Sequence, residues 1–149
     1  GFGASGSGKL FSQVYQGFPF FTEGITGFVS VKDVVKAMIL LMNGTTANER
    51  FILVSENKSF KEVLFAIADA FGKKRPSKKI HVWQTAVFWR FSWIVSKITS
   101  KEPLLSKYSA KSAHHISYYS SEKLLKTIDF QFEKVENAIH EITKTFPQK

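Results

Sequence analysis

The chain contains no cysteine among its 149 residues. This absence excludes a disulfide framework and any thiolate metal site, and it fits a reducing compartment. Acidic residues are also scarce, because 12 aspartates and glutamates stand against 21 lysines and arginines and leave a formal net charge of +9. Such an excess favours anionic partners, which include nucleic acid, acidic lipid and phosphorylated substrates.

The sequence has little that suggests a membrane span or a leader. The aromatic-rich stretch Val82–Ile98 is interrupted by polar and charged residues such as Arg90 and Lys97, whereas a transmembrane helix needs about 20 predominantly apolar residues. No charged and then apolar segment follows Gly1, so we expect no signal peptide and a cytoplasmic location. Internal repeats and low-complexity linkers are absent as well.

What remains is the composition of a globular domain. Apolar residues make up 44% of the chain and aromatic residues 15%, with 15 phenylalanines. A chain of this length buries a real core. The phenylalanine content predicts that aromatic rings build that core.

Hydrophobic periodicity predicts alternating strands and helices in the first half. Phe28–Val31 alternates like a strand, and Arg50–Ser55 has the pattern of a buried strand. Between them, Asp33–Met42 is apolar almost all round, which predicts a helix that is buried on most sides. The order strand, helix, strand, helix favours a small parallel unit.

The clearest helix follows Ser59. Ser59 and Glu62 have the spacing of a capping box, Phe60 to Phe71 place apolar residues on one face, and Gly72 ends the helix. A short strand is predicted at Ile80–Trp83. Further helices are predicted at Lys9–Gln16, Gln84–Ile98, Leu104–Ala113, Glu122–Ile128 and from Val135 to Phe146.

Two glycine patterns near the start resemble nucleotide-binding motifs without their context. Gly1–Gly6 fits a dinucleotide fingerprint, and Gly3–Lys9 fits a phosphate-binding loop. Both motifs need a preceding strand, and Leu10 stands where the phosphate loop requires a hydroxyl. We therefore predict that this chain holds no cofactor.

Tyr119 and Lys123 have the Tyr-x3-Lys spacing of short-chain dehydrogenases. In that chemistry the ammonium lowers the pKa of a phenol one helical turn away. Here Ser120 and Ser121 have the character of helix N-caps, which places Tyr119 before the helix begins. We predict a structural Tyr119 and assign no catalytic residue.

A metal site is not expected. His114 and His115 are adjacent, so their side chains point in different directions on a helix and cannot hold one ion together. The basic cluster Lys73–Lys79 is interpreted as a solvated loop. The rival interpretation is a basic binding module for nucleic acid or an anionic membrane surface, which would require that cluster and four later lysines to share a face: Lys97, Lys101, Lys107 and Lys111.

A family resemblance rests on several segments in order. Thr26–Met38 resembles the Phe-x-x-Val-x-Asp-Val step of extended short-chain dehydrogenases, the NAD-dependent epimerase/dehydratase group with its dihydroflavonol-reductase-like relatives. Gly1–Gly3 is similar to the family's late glycine loop, and Lys9–Gly24 is similar to its pocket-lining segment. Phe51–Glu62 and Tyr119–Phe130 are similar to its downstream strand–helix step and its terminal segment.

The resemblance implies an α/β fold, with a small parallel or mixed sheet that includes Phe28–Val31 and Phe51–Ser55 and about six helices. Residues 1–149 would be a single substrate-binding domain or fragment, the C-terminal portion of a Rossmann-type enzyme whose dinucleotide-binding domain is absent. The full-length protein would be an NAD- or NADP-dependent epimerase/dehydratase or reductase of a nucleotide-sugar or other hydroxyl or carbonyl substrate.

The same resemblance implies partners and site residues. The partners would be the chain's own N-terminal Rossmann domain, a small-molecule substrate and a second copy in a homodimer, with nucleic acid unfavoured and the isolated chain inactive. Ser5, Ser7, Lys9 and Phe28 are the predicted substrate-pocket residues. Asp33 is predicted to cap the helix that follows it, and the alternative is a substrate-binding carboxylate.

Overall fold

The computed structural model describes residues 7–85, 87 and 111–146. Five helices have both ends within these residues: α1 (Ser7–Tyr15), α2 (Val31–Asn43), α3 (Phe60–Ala70), α4 (Glu122–Thr127) and α5 (Val135–Thr145). Four short strands accompany them: β1 (Phe20–Phe21), β2 (Ile25–Phe28), β3 (Glu56–Ser59) and β4 (Lys78–Lys79). The fold is mixed α/β. The predicted helices Gln84–Ile98 and Leu104–Ala113 lie mostly outside the described residues.

Helix α3 is the centre of the fold, and its prediction is confirmed. The Ser59 hydroxyl accepts the Glu62 N–H at 3.1 Å, and the Glu62 carboxylate accepts the Ser59 N–H at 2.7 Å. The Ser59 hydroxyl, which also donates to the Glu62 carboxylate at 2.7 Å, and the Ser59 N–H both lower the pKa of Glu62. At the other end Gly72 takes a positive φ of 63°, which ends the helix.

The apolar face of α3 packs against α1, α5, β1 and β3. Ile67 and Ala68 are fully buried there, beside Val14 of α1 and Ile139 of α5. Phe11 and Phe21 are buried in the same core. Further rings pack against it partly buried, for example Phe71, whose ring centre lies 5.2 Å from that of Tyr15. The prediction of an aromatic core is therefore confirmed in part, because phenylalanines share the buried core with a larger number of aliphatic side chains.

The four strands form two separate pairs. β2 and β3 are antiparallel, with Ile25 opposite Ser59 and Phe28 opposite Glu56, while β1 and β4 are parallel. The predicted parallel pairing of the first strand–helix–strand unit is wrong. The chain leaves β2 at Phe28, and after α2 and the segment 44–55 it returns to the same end of the strand. β3 therefore starts beside Phe28 and runs antiparallel to β2.

Both predicted strands of that unit are displaced. The Phe28–Val31 strand ends at Phe28, because the Ser30 hydroxyl accepts the Lys32 N–H at 3.3 Å and α2 begins at Val31. The Phe51–Ser55 strand is replaced by β3 further along the chain. The backbone of buried Val54 instead bonds the Ser121 hydroxyl, which accepts from its N–H at 2.6 Å and donates to its carbonyl at 2.8 Å.

The predicted Ile80–Trp83 strand is also displaced. β4 comprises Lys78–Lys79, and residues 82–85 are already helical. The Ile80 N–H still donates to the Phe21 carbonyl at 2.9 Å, which extends the pairing by one hydrogen bond.

Polar residues of β3 hold the start of α5. Lys134, the residue before α5, makes no side-chain hydrogen bond that caps the helix. The Glu56 carboxylate takes that role, because it accepts the Val135 N–H at 2.9 Å. Lys58 pairs with Glu136 at 2.7 Å. This contact raises the pKa of Lys58 and lowers the pKa of Glu136.

Gly24 joins three segments of chain. Its N–H donates to the Ala113 carbonyl at 3.2 Å, and its own carbonyl accepts the Phe60 N–H at 2.9 Å. A Cβ at this position would lie 2.5 Å from the Ala113 carbonyl oxygen. Only glycine allows the backbone of residue 113 to approach so closely.

We therefore expect Gly24→Ala to lower the free energy of unfolding by about 1–3 kcal/mol, since the backbone must move to relieve the overlap. Gly44→Ala is the control, because Gly44 has a φ of −89° and the nearest atom to its Cβ would lie 3.4 Å away. Urea unfolding of both variants is the measurement. Equal midpoints for Gly24→Ala and the parent would contradict the close approach.

Candidate functional site

Helix α2 is buried along one side only. Asp33 and Ala37 face the rest of the chain, with 1% and 0% of their surface exposed. On the opposite side, four apolar residues are between 48% and 80% exposed: Val31, Val35, Met38 and Met42. We call these four residues the α2 stripe. The prediction that the helix is buried on most sides is therefore wrong within the described structure.

The α2 stripe has the spacing of a helix-packing seam. Its members follow one another at steps of four, three and four residues, which places them in one line along the helix. Ile39, also exposed at 52%, lies beside that line. A continuous apolar surface of this kind marks a protein–protein or interdomain contact more often than a solvated face.

The inner side of α2 is tied to the C-terminal segment. The buried Asp33 carboxylate accepts the Glu133 N–H at 2.8 Å, and Lys32 pairs with Glu141 of α5. The predicted N-cap role of Asp33 is wrong, because Ser30 caps the helix and Asp33 is its third residue. Its negative charge in the first turn still complements the helix dipole.

A shallow cleft of about 320 Å³ lies where α2 meets this segment. It is lined by Lys32, Asp33, Lys36, Gln131, Phe132, Glu133 and Glu141. The hydrogen bond with Glu141 raises the pKa of Lys32 and lowers that of Glu141. Two lysines and three carboxylates line this cleft, so most of its charge is compensated within the cleft itself.

A second cleft, of about 420 Å³, separates residues 54–57 from the start of α4. The Asn57 amide bridges its two walls, donating to the Tyr119 carbonyl at 2.8 Å and accepting the Tyr119 N–H at 2.9 Å. Gly27 permits this arrangement, because a Cβ there would lie 2.5 Å from the Val54 side chain. The Asn57 amide therefore holds the two walls of this cleft together through its hydrogen bonds to the Tyr119 backbone.

Tyr119 precedes α4, as the sequence predicts, since that helix begins at Glu122. Lys123 lies in the first turn, where it pairs with Glu49 and its ammonium lies 5.1 Å from the centre of the Phe51 ring. Tyr119 and Lys123 are therefore not one helical turn apart on a common face. The structural role of Tyr119 stays a prediction.

Of the four predicted pocket residues, the three that the structure describes line neither cleft. Ser5 lies outside the described residues. Ser7 is exposed as the first residue of α1, and Lys9 is half-buried in its first turn. Phe28 ends β2, and its ring meets Phe60 edge to face at 6.1 Å. Ser5, Ser7, Lys9 and Phe28 therefore stay predicted substrate contacts.

His114 is a partly buried packing residue. Its Nε2 lies 2.7 Å from the Thr85 hydroxyl. Burial lowers the pKa of His114, and the charges of His81 and Lys79 lower it further. Across residues 7–85, 87 and 111–146, no group of three or more histidine, cysteine or carboxylate side chains is placed to hold a metal ion.

Within the part of the chain that the structure describes, none of the helices combines the length and the apolar character that a membrane span requires.

Comparison with known proteins identifies a fold but no family. No protein-family model matches the chain, and no curated protein matches it. Among solved structures, the one titled "Crystal structure of gox2253" matches with a TM-score of 0.65 at 20% sequence identity. The match covers 89% of this chain and 40% of that chain. At this identity the likeness shows a shared fold only, and the chain spans less than half the length of the protein it matches.

The Asp33 contact predicts an order of stability among three variants. Asp33→Ala leaves the half-buried Glu133 N–H without its acceptor, which should cost about 1–3 kcal/mol. Asp33→Asn keeps an acceptor oxygen at the same reach and should lose less. Asp33→Ser should resemble the alanine variant, because its hydroxyl is too short for Glu133 and Ser30 already caps the helix. Thermal melting ranks the three, and a serine variant as stable as the parent would support the capping role instead.

His114 predicts a loss of stability toward acid. Its pKa is lowered in the folded chain from an ordinary value of 6.5, so the unfolded chain binds the proton first as the pH falls. The contribution of neutral His114 is complete above that ordinary value and is lost as the pH falls through the lower folded pKa. His114→Gln should flatten the stability profile between about pH 7 and 5. His140→Gln, at an exposed position of α5, is the control, and an equal flattening in both variants would contradict the prediction.

Proposed function

We propose that this chain is the substrate-side, C-terminal part of an NAD- or NADP-dependent extended short-chain dehydrogenase that acts on a nucleotide-sugar or another hydroxyl or carbonyl substrate. The observation that carries the proposal is the α2 stripe. A domain that is complete in itself seldom leaves such a surface in water. The stripe is the contact surface for the dinucleotide-binding part of the same protein.

The lengths covered by the structural match support the proposal that this chain is one part of a larger protein. Nearly all of this chain corresponds to less than half of the matched structure. In that protein, therefore, the same fold is accompanied by a larger amount of further chain. The resemblance of Thr26–Met38 to the family step supports the same reading, because that segment contains β2, the turn at Ser30 and most of α2.

The described residues do not fit a dinucleotide site themselves. Such a site needs a glycine-rich turn between a strand and a helix, so that the pyrophosphate reaches the helix N-terminus. β2 passes into α2 through Val29 and Ser30, and β3 passes directly into α3. β4 passes through Ile80 and His81 into the helical residues 82–85. None of these three described strand-to-helix steps contains glycine. We place the cofactor, which exchanges hydride with a substrate carbon when bound, in the other part of the protein as part of this proposal.

The role left to this chain is substrate selection. Phe28 lies three residues before the α2 stripe, at the boundary between the core and the proposed contact. At this boundary the Phe28 side chain would contact a substrate that is bound between the two parts of the protein. Ser5, Ser7 and Lys9 are the proposed polar contacts to the substrate, and Lys9 suits a phosphorylated one. No proton-transfer role is proposed for Tyr119.

The stripe gives a direct test. Met38→Glu should leave the melting temperature of the 149-residue chain unchanged, because Met38 is 55% exposed there. In the gene product that includes the dinucleotide-binding part, the same change buries an unpaired charge and should cost about 3 kcal/mol or more. Leu125→Glu is the matched control, since Leu125 is 48% exposed on α4. It should affect neither protein.

Cofactor binding is measured on the same two proteins by calorimetry. We expect micromolar binding of NAD(H) or NADP(H) by the longer product and none by the 149-residue chain. Tight stoichiometric binding by the 149-residue chain would contradict the proposal. So would a gene product that binds neither dinucleotide, or a Met38→Glu variant as stable as the Leu125→Glu variant in both settings.

A further inference from the structure

The edge of the molecule around β4 combines unpaired cations with exposed apolar side chains. Five basic residues lie between positions 73 and 79: Lys73, Lys74, Arg75, Lys78 and Lys79. Arg75 is neutralised by a bidentate pair with Asp69, at 2.7 and 2.8 Å, and Lys79 is neutralised by Glu23. Lys73, Lys74 and Lys78 have no acidic partner within the described part of the chain. Three positive charges therefore remain at this edge.

Two of these three cations lie against aromatic rings. The Lys73 ammonium is 5.0 Å from the centre of the Tyr15 ring, and the Lys78 ammonium is 5.9 Å from that of Phe20. Phe20 in turn contacts Phe18 at 5.4 Å, and Phe18 is 40% exposed. Two lysines of the 73–79 segment thus lie beside aromatic rings, and one of these rings contacts the exposed Phe18.

Beyond β4 the chain turns into a helical segment with an apolar outer side. Thr85 is 5% exposed and bonds His114 on the inside. Trp83 and Val87 lie four residues apart and face away from Thr85 on the helix. They are 67% and 59% exposed, and Val82 beside them is 66% exposed. The buried threonine therefore directs Trp83 and Val87 toward solvent, and Val82, the first helical residue, is exposed as well.

We define the β4 edge as Phe18, Lys73, Lys74, Lys78, Val82, Trp83 and Val87. We propose that the β4 edge binds an anionic lipid surface, with the lysines at the phosphates and Trp83 and the two valines in the headgroup and acyl boundary. Tryptophan and lysine are the residues that this boundary prefers. Each lysine close to an anionic leaflet adds electrostatic attraction to the negatively charged headgroups.

The apolar members of the edge favour lipid over nucleic acid. A sequence-tolerant nucleic-acid surface offers an aromatic ring for each stacked base. Val82 and Val87 offer branched aliphatic side chains, which cannot stack with bases and do partition into lipid. This inference rests on the surface of the chain itself and does not depend on the proposed function.

Sedimentation with vesicles tests the proposal. The protein should bind vesicles of phosphatidylglycerol and phosphatidylcholine at low salt, and it should bind pure phosphatidylcholine far more weakly. The triple variant Lys73→Glu, Lys74→Glu, Lys78→Glu should lower the partition coefficient about a hundredfold. The matched control reverses three exposed lysines elsewhere, Lys126→Glu, Lys134→Glu and Lys144→Glu, which gives the same net charge. It should keep most of the binding.

Trp83→Ala separates insertion from charge attraction. Because Trp83 is exposed, the variant should melt like the parent, yet it should lower vesicle binding about tenfold. Equal losses in the two lysine triple variants would overturn the proposal, since binding would then follow net charge alone. Binding to a single-stranded oligonucleotide that is lost in the β4-edge variant, with no binding to vesicles, would overturn it in favour of nucleic acid.

Discussion

Burial of one face of α3 is the constraint on which the other elements depend. Val63, Leu64, Ile67 and Ala68 are buried between α1, α5 and β1. Full burial of such aliphatic side chains contributes about 1.5–3 kcal/mol for each of the larger ones, so the position of α3 decides where its neighbours lie. β3 leads directly into α3, and β2 pairs with β3. The start of α2 is therefore located by the same packing.

Polar contacts then fix the orientation of the elements that α3 positions. Glu56 holds the N-terminus of α5, Asp33 holds the backbone at Glu133, and the Ser121 hydroxyl satisfies both backbone groups of Val54. These acceptors and donors are buried or half-buried, where an unpaired backbone group is costly. They link β3, α2 and α4 to segments far away in the sequence. The result is a scaffold that orients α2 with one side inward and one side in water.

Two surfaces of different chemistry follow from this orientation. The α2 stripe is apolar and lies on a regular helix, as a seam for another packed element requires. The β4 edge combines lysine with tryptophan, phenylalanine and valine, which is the composition expected of a surface that contacts anionic lipid headgroups and the adjoining acyl chains. The first suits a partner that is part of the same protein, and the second suits a lipid surface.

The sequence by itself determined the elements whose signals are local. Ser59 and Glu62 start α3 and Gly72 ends it, Gly17 follows α1, and Tyr119 falls before α4, all as predicted. A cap or a stop acts within four residues, so its physics is contained in the pattern. The predicted face of α3 was right for the same reason, because residues three and four apart share one side of a helix.

Only the tertiary structure decided the pairings and the faces that depend on distant residues. Glu56–Ser59 is a polar segment with no strand pattern, and it is a strand because β2 lies beside it. Asp33 finds its partner 100 residues along the chain, where no local rule for capping applies. The all-round apolar pattern of α2 indicated that the helix is buried, but it did not indicate which part of the protein, or which partner, covers it. A hydrophobic pattern records that water is to be excluded from a face, and only the packed structure shows whether the chain itself excludes it or leaves that to a partner.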